Sequence, residues 1–335
     1  METVYYLGID IAKKKFDGAL TVDGKGFYQF QAENSNGDIV RLFKELKTKF
    51  SFSFGQLVVC MEHTGIYCRP LLEFLVENQI RVCVESSLHI KRSQGLVRGK
   101  SDKVDAQRIS LYAYKNREDL KIWIPQRLVI QKVKALLVTR ERLIKAKTEL
   151  QVPIDESEEF IEKSIANAMS KSCKMPIEAL ENAIKRIERS IDELVKGDEK
   201  LDRQYRIATS VAGVGQITAL NVIVSTGEFN RIQEAKKFAC YSGIAPFEYS
   251  SGSSIRGKTR VSKMANMTIK KLLHLAAMAA IRSDTELKNY YLRKVSEGKN
   301  KMSVLNAVRN KLISRVFACI NTNRLYEKNY QHALA

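Results

Sequence analysis

Four acidic residues and one serine hold the chemistry this sequence can do. In Gly8-Ile9-Asp10 a carboxylate stands at the exposed end of an apolar, β-branched run, and Glu62 ends the wholly apolar run Leu57 to Met61 in the same manner. A carboxylate at the tip of a buried strand is costly unless a cation or a hydrogen-bond donor compensates it. In Ser101-Asp102-Lys103-Val104-Asp105, the serine suits a helix N-cap and the two acids, three apart, share one helical face. Singly, each acid has a structural explanation: a turn at Asp10, the helix dipole at Asp102, a solvated face at Asp105. Together they form a donor set of hard oxygens without His or Cys, which suits Mg²⁺ or Mn²⁺. Two such ions can clamp the attacking and leaving oxygens of a phosphodiester.

The second constellation runs from Tyr249 to Arg260 and holds four serines with Arg256, Lys258 and Arg260. Composition alone describes a flexible phosphate-binding loop. The sharper reading makes one hydroxyl a nucleophile, and since only Glu248 nearby is acidic, its activation has to come from elsewhere in the protein.

These residues must be positioned by the rest of the chain. Before residue 125, β-branched or aromatic runs alternate with helical spacing, as in mixed α/β domains. The pattern predicts strands at 4–9, 16–22, 27–31, 57–61 and 80–85, with 16–22 and 27–31 paired around Asp23-Gly24-Lys25-Gly26. Helices are predicted at 39–50, 69–78 and after Ser101. A helix at 129–150 is expected to end at Pro153, and a second to start at Pro176. In the latter, Ile177, Leu180, Ile184, Ile187, Ile191, Leu194 and Leu201 follow a heptad seam. An antiparallel arm, a dimeric coiled coil and a helix packed on its own domain all satisfy that seam. The remainder reads as mostly helical, and Gly213-Val214-Gly215 is either a phosphate-binding helix start or a tight turn.

Charge narrows the partner. The 335 residues carry a formal net charge of +19, distributed as +9 over residues 1–150, −4 over 151–200 and +14 over 201–335. Two basic ends around an acidic middle point to a polyanion, with nucleic acid before a membrane surface. The six cysteines have no C-x-x-C spacing, which argues against zinc and against a disulfide framework. No run of about 18 apolar residues occurs, and an acid rather than a basic head follows Met1, so a cytoplasmic protein is expected.

Several motifs occur in order: Gly8-Ile9-Asp10-Ile11-Ala12-Lys13, Glu62-x-Thr64-Gly65-x-Tyr67, Lys100-Ser101-Asp102-x-x-Asp105-Ala106, Gly213-Val214-Gly215-x-x-Thr218-Ala219, Gly243-Ile244-Ala245-Pro246 and Tyr249-x-Ser251-Gly252-Ser253-Ser254-x-Arg256-Gly257. In this the chain resembles the DEDD transposases of the IS110 insertion-sequence family, relatives of the Piv DNA invertase, from about residue 4 to 320. One departure is His63, where a small residue is usual, and Ser250 is an extra serine beside the nucleophile position.

The resemblance implies an α/β plus α protein: an RNase H-like (RuvC-type) domain over 1–125, a helical coiled-coil region over 126–205 and a mostly helical transposase domain over 206–335. It implies that Asp10, Glu62, Asp102 and Asp105 bind Mg²⁺ and that Ser251 attacks DNA to form a phosphoserine link. Lys100, Arg256, Lys258 and Arg260 are expected to contact nucleic acid. Expected partners are donor and target DNA, a structured bridge RNA as guide, and a homodimer that pairs to a tetramer on DNA. The rival reading is a metal-dependent, junction-resolving endonuclease in which water attacks. A sugar kinase or actin-like ATPase, whose first strand also reads Gly-Ile-Asp, is disfavoured because Lys13, Lys14 and Lys15 stand where a phosphate loop needs Gly and Thr. A non-catalytic basic scaffold has no reason to cluster acids at strand ends.

Overall fold

The computed structural model describes residues 3–62, 64–93, 102–251, 255–261 and 264–328, with backbone alone at 102, 103, 158, 248–251 and 255–260. The chain separates into two compact units that meet in sequence at Pro125 and Gln126.

The first unit is built on a five-stranded sheet of β1 (Tyr5–Ile11), β2 (Lys15–Thr21), β3 (Tyr28–Glu33), β4 (Leu57–Glu62) and β5 (Arg81–Glu85). Its order is β3-β2-β1-β4-β5. The first three strands are antiparallel, while β4 runs parallel to β1 and β5 parallel to β4. This is the mixed sheet expected of an RNase H-like domain. Strand β1 extends further than its apolar run suggests, because the hairpin to β2 carries pairing on through Asp10↔Asp17 and Ile11↔Phe16. Asp10 therefore lies inside the strand, one residue before its end. The turn after β2 forms as its residues predict: the Asp23 carboxylate accepts from Lys25 N at 2.9 Å and Gly26 N at 3.1 Å. Those backbone donors hold its pKa below the usual carboxylate value.

Side-chain parity divides the sheet into two faces. Leu7, Ile9, Phe16, Val59 and Met61 face one core with α1 (Asn36–Phe50) and α2 (Arg69–Glu77). Helix α1 is capped by Ser35, which accepts from Asp38 N, and buries Ile39, Leu42, Phe43 and Leu46. Tyr6, Val58, Cys60 and Cys83 face the other core with α3 (Ser87–Arg92) and α4 (Asp102–Lys115).

The second unit begins with a helical hairpin, α5 (Leu128–Phe160) and α6 (Lys163–Lys196). Both proline predictions are corrected. Pro153 lies inside α5 and Pro176 inside α6. Each costs a helical hydrogen bond, but both sit well within helices of more than thirty residues whose remaining turns and inter-helix contacts hold them together. The pairs Arg140–Glu188 at 2.7 Å and Lys147–Glu181 at 2.5 Å fix an antiparallel register that puts Pro153 opposite the Met175-Pro176 step. The seam is thus satisfied within one chain. Ile191 is buried, while Ile177 to Ile187 stay half-buried because two helices alone cannot enclose an apolar stripe.

Helices α7 (Glu199–Ser210), α8 (Gln216–Thr226), α9 (Ala235–Tyr241), α10 (Met267–Ser283), α11 (Thr285–Ser296) and α12 (Lys301–Asn321) share a core with the base of the hairpin. A two-stranded ribbon, β6 (Pro246–Ser251) and β7 (Ile255–Val261), joins α9 to α10. Gly213 has φ +85°, and a Cβ there would lie 2.5 Å from Ala276 O. The Gly-x-Gly segment is therefore a tight turn backed onto α10 rather than a phosphate cradle.

Candidate active site

Two of the predicted acids come to one end and one face of the first sheet. Ile9 pairs with Met61, which sets the next residues, Asp10 and Glu62, side by side on neighbouring parallel strands about 4.8 Å apart. By parity both belong to the face of Tyr6 and Cys60, the one α4 covers.

Helix α4 brings the remaining acids from above. Gly8 lets it lie directly on β1, since a Cβ there would come within 2.1 Å of Ser110 N and 2.4 Å of Ala106 O. Further along, Ser110 Oγ donates to Tyr6 O at 2.9 Å, and the Tyr114 ring meets the Tyr6 ring edge-on at 5.5 Å. Rising residue numbers on α4 thus match falling numbers on β1, so the helix runs antiparallel to the strand. Its first turn, with Asp102 and Asp105, falls at the Asp10 end.

Sequence reasoning missed two further acids. Asp17 stands opposite Asp10 and Glu85 opposite Glu62, so Asp17, Asp10, Glu62 and Glu85 form a row across four strands. The signal for Asp17 was present in the hairpin: pairing Ile11 with Phe16 across Lys13-Lys14 fixes Asp10 against Asp17. Asp17 is buried and accepts from Gln31 Nε2 at 3.0 and 3.3 Å. Glu85 takes the His89 ring nitrogen at 3.0 Å. The Tyr112 hydroxyl is pushed up to about 12, first by burial and then by the Glu85 charge.

The acids already have partners. Ser87 Oγ donates to Glu62 Oε1, and Arg108 Nη1 donates to Asp105 Oδ1 at 2.7 Å. Among the described residues no three His, Cys, Asp or Glu side chains converge as a ready cation cage. The donor set nonetheless fits a hard divalent cation, being all carboxylate oxygen on one face.

Other predicted residues are reached only in part. Lys100, Ser101, His63 and Gly252 to Ser254 lie outside the described residues, as does the side chain of Asp102. Ser251 is the last residue of β6 and pairs with Ile255, which replaces the expected flexible loop with a strand up to the serine itself. Arg256, Lys258 and Arg260 lie in β7, and their side chains are likewise outside the description.

The strand order is the one expected of an RNase H-like unit. Residues 7–156 match the DEDD transposase model of IS110, and residues 205–292 match the model described as the transposase IS116/IS110/IS902 family. The chain belongs to the IS110 family of transposases. It is 25% identical to the pilin gene-inverting protein of Moraxella bovis, over 96% of this chain and 98% of that one. It is also 25% identical to the transposase for insertion sequence element IS1111A of Coxiella burnetii, over 97% of this chain and 92% of that one. Among solved structures, Thermus thermophilus RuvC matches 36% of this chain and 100% of its own at 15% identity, with a TM-score of 0.27. Among the described residues no helix is long and apolar enough to cross a membrane.

Proposed function

We propose that this transposase cuts and rejoins DNA strands through a covalent phosphoserine at Ser251, with Asp10, Glu62, Asp102 and Asp105 holding Mg²⁺. The reading rests on one observation above all: carboxylates from β1 and β4 share the face and end of the sheet to which the first turn of α4 is delivered. A divalent ion bound there supplies charge stabilisation to a phosphodiester. The Ser251 hydroxyl forms a bond to the scissile phosphorus, the bond from phosphorus to one deoxyribose oxygen breaks, and the serine proton ends on that departing oxygen. The phosphoserine retains the energy of the broken bond, so attack by a new strand's hydroxyl regenerates Ser251 without ATP. Arg256, Lys258 and Arg260, five, seven and nine residues beyond the nucleophile, are suited to countering the charge that develops on the phosphate. The catalytic work is thus divided between a domain over 1–125 and one over 206–335, joined by the helical region 126–205.

A structured RNA would carry the target sequence by base pairing, leaving shape and backbone recognition to the protein. A homodimer pairing to a tetramer would hold donor and target duplexes together in the bacterial or archaeal cytoplasm.

Ser251→Ala tests the reading. With Mg²⁺ and donor DNA, the wild type is expected to yield a protein–DNA adduct that survives denaturant, and S251A to yield neither adduct nor cleaved strand while still binding DNA. Continued strand cutting by S251A would assign the attack to water and make the protein an endonuclease.

A further inference from the structure

At the acid end of the first sheet two turns are fastened together. The Thr64-Gly65-x-Tyr67 motif, which the catalytic reading leaves unused, forms a short 3₁₀ turn over Gly65–Cys68 soon after Glu62. Cys68 Sγ accepts from Thr64 N at 3.3 Å, meets Thr64 Oγ1 at 3.0 Å and donates to Glu62 O at 3.5 Å, so the turn is tied back to the strand that carries the acid. Gly65, at φ +74°, makes the reversal. Asn34 closes the arrangement. Its Nδ2 donates to Tyr67 O at 2.9 Å and to Ala12 O at 3.2 Å, and its main-chain N donates to Lys14 O at 2.8 Å. The turn between β1 and β2, with Lys13 and Lys14, is thereby stapled to the turn with Ile66 and Tyr67.

Both turns present side chains to solvent. Ile66 is 80% exposed and Tyr67 38%, and Lys13 and Lys14 are exposed beside them. One apolar side chain in water is ordinary. This one stands on a pinned backbone, next to an aromatic ring and two cations, four residues from Glu62. Four residues of chain reach at most about 14 Å, which is about four base steps at roughly 3.4 Å each along a strand. A phosphate held at the acids therefore has its flanking bases within reach of Ile66.

We propose that Ile66 and Tyr67 form a wedge that opens the DNA duplex beside the scissile phosphate: Ile66 enters a base step, Tyr67 stacks on the base so released, and Lys13 and Lys14 hold the neighbouring phosphates. Proteins that distort duplexes insert apolar side chains in this way, and ring-on-base stacking tolerates any sequence because every base has a π-face. The pinned backbone matters, since a wedge on a yielding loop would give way to the base stack instead of parting it. Charge favours nucleic acid over a protein partner, because the apolar tip is flanked by lysines in a chain of net charge +19. Strand exchange needs such an opening, as a strand still paired to its complement is not free to join a new one. The inference rests on the DNA-transposase reading above and adds to it the residues that unpair the strand.

The test uses the full-length protein with Mg²⁺ and two donor duplexes, one fully paired and one mismatched around the cleavage position, each carrying 2-aminopurine beside it. Ile66→Ser changes an exposed side chain and should leave the melting temperature unchanged. It is expected to cut the paired donor about tenfold to a hundredfold more slowly, the worth of one lost stacking contact, and the mismatched donor at the wild-type rate. The 2-aminopurine fluorescence that rises when the wild type binds the paired donor should stay low with I66S. Y67A should behave like I66S, while Y67F keeps the ring and the rate. K13Q/K14Q should reduce the slope of log K against log salt by about 1.8, the loss of two phosphate contacts. Wild-type cutting of the paired donor by I66S would overturn the inference. So would equal slowing on both donors, or a changed oligomeric state in I66S, either of which would assign the tip to protein contacts, and an unchanged salt slope would remove the lysines from it. A wild type that cuts neither donor would instead sink the transposase reading itself.

Discussion

Gly8→Ala probes the contact on which the acid site depends. The glycine sits where β1 and α4 touch backbone to backbone, and an added methyl would lie 2.1 Å from Ser110 N, 2.4 Å from Ala106 O and 2.7 Å from Ser110 Cα. Those atoms belong to the helix main chain, so no side chain can rotate away. Restoring van der Waals contact requires α4 to retreat by about 1 Å, given carbon contacts of roughly 3.5 Å. Overpacking of this kind costs about 1–3 kcal/mol, which for a domain of this size is a fall of roughly 4–12 °C in melting temperature. The same retreat lifts Asp102 and Asp105 from Asp10 and Glu62, and a 1 Å misplacement of catalytic groups can cost about a hundredfold in rate. The experiment pairs thermal melts with single-turnover cleavage of donor DNA in Mg²⁺, at a temperature where G8A is fully folded. A drop in both is expected. A variant that melts early yet cuts at the wild-type rate would refute the claim that α4 delivers the acids, and one that melts normally would refute the packing.

Two further perturbations address the second unit. Arg127→Met removes bonds of 2.7 and 2.9 Å to Asp198 and of 2.6 Å to Glu228, whose side chain is 5% exposed. Among the described residues that leaves Lys200 at 3.5 Å to answer a buried carboxylate, so a loss of about 3–4 kcal/mol is expected in denaturant titration. The Arg127 hydrogen bonds hold the Asp198 pKa below its ordinary 3.8. A depressed folded value stabilises above the unfolded pKa and is lost as pH falls through the folded one. The wild type should therefore lose stability below about pH 4 by a margin that R127M lacks; parallel acid profiles would count against the network. Pro153→Ala restores a backbone donor inside α5 and should stabilise the hairpin by up to about 3 kcal/mol. A lower melting temperature, read by helical circular dichroism, would show that the proline is accommodated at no cost.

Local chemistry made much of the first unit legible. The Asp23-Gly24 turn and the helical spacing of α1 follow from short-range rules that the structure obeys, although the Ser35 cap starts the helix at Asn36, three residues before the expected 39. The two prolines misled the reading because a boundary signal competes with packing. An isolated helix ends at proline, whereas one paired along its length with a partner helix, as α5 is with α6, loses one bond and continues. Ser251 was misplaced for the opposite reason. A polar, serine-rich segment reads as loop, and only the pairing of 246–251 with 255–261 makes it a strand.

The acid site divides along the same line. Asp10 and Glu62 were visible because each follows an apolar run, a pattern held within a few residues. Their neighbours Asp17 and Glu85 were not, because what selects them is register: a carboxylate belongs to the site only when the strand beside it is in phase, and a shift of one residue would turn it into the core with Phe16 or Val84. Asp17 accordingly deserves a role distinct from the outer acids. It is 3% exposed and accepts twice from Gln31, so it is already satisfied on the side away from Asp10. Directly across from Asp10, it is held in place by the Gln31 amide beside the outer acids. The row is therefore selected by strand register, and the acids proposed to complete it arrive on a helix whose approach is set by a single absent methyl group.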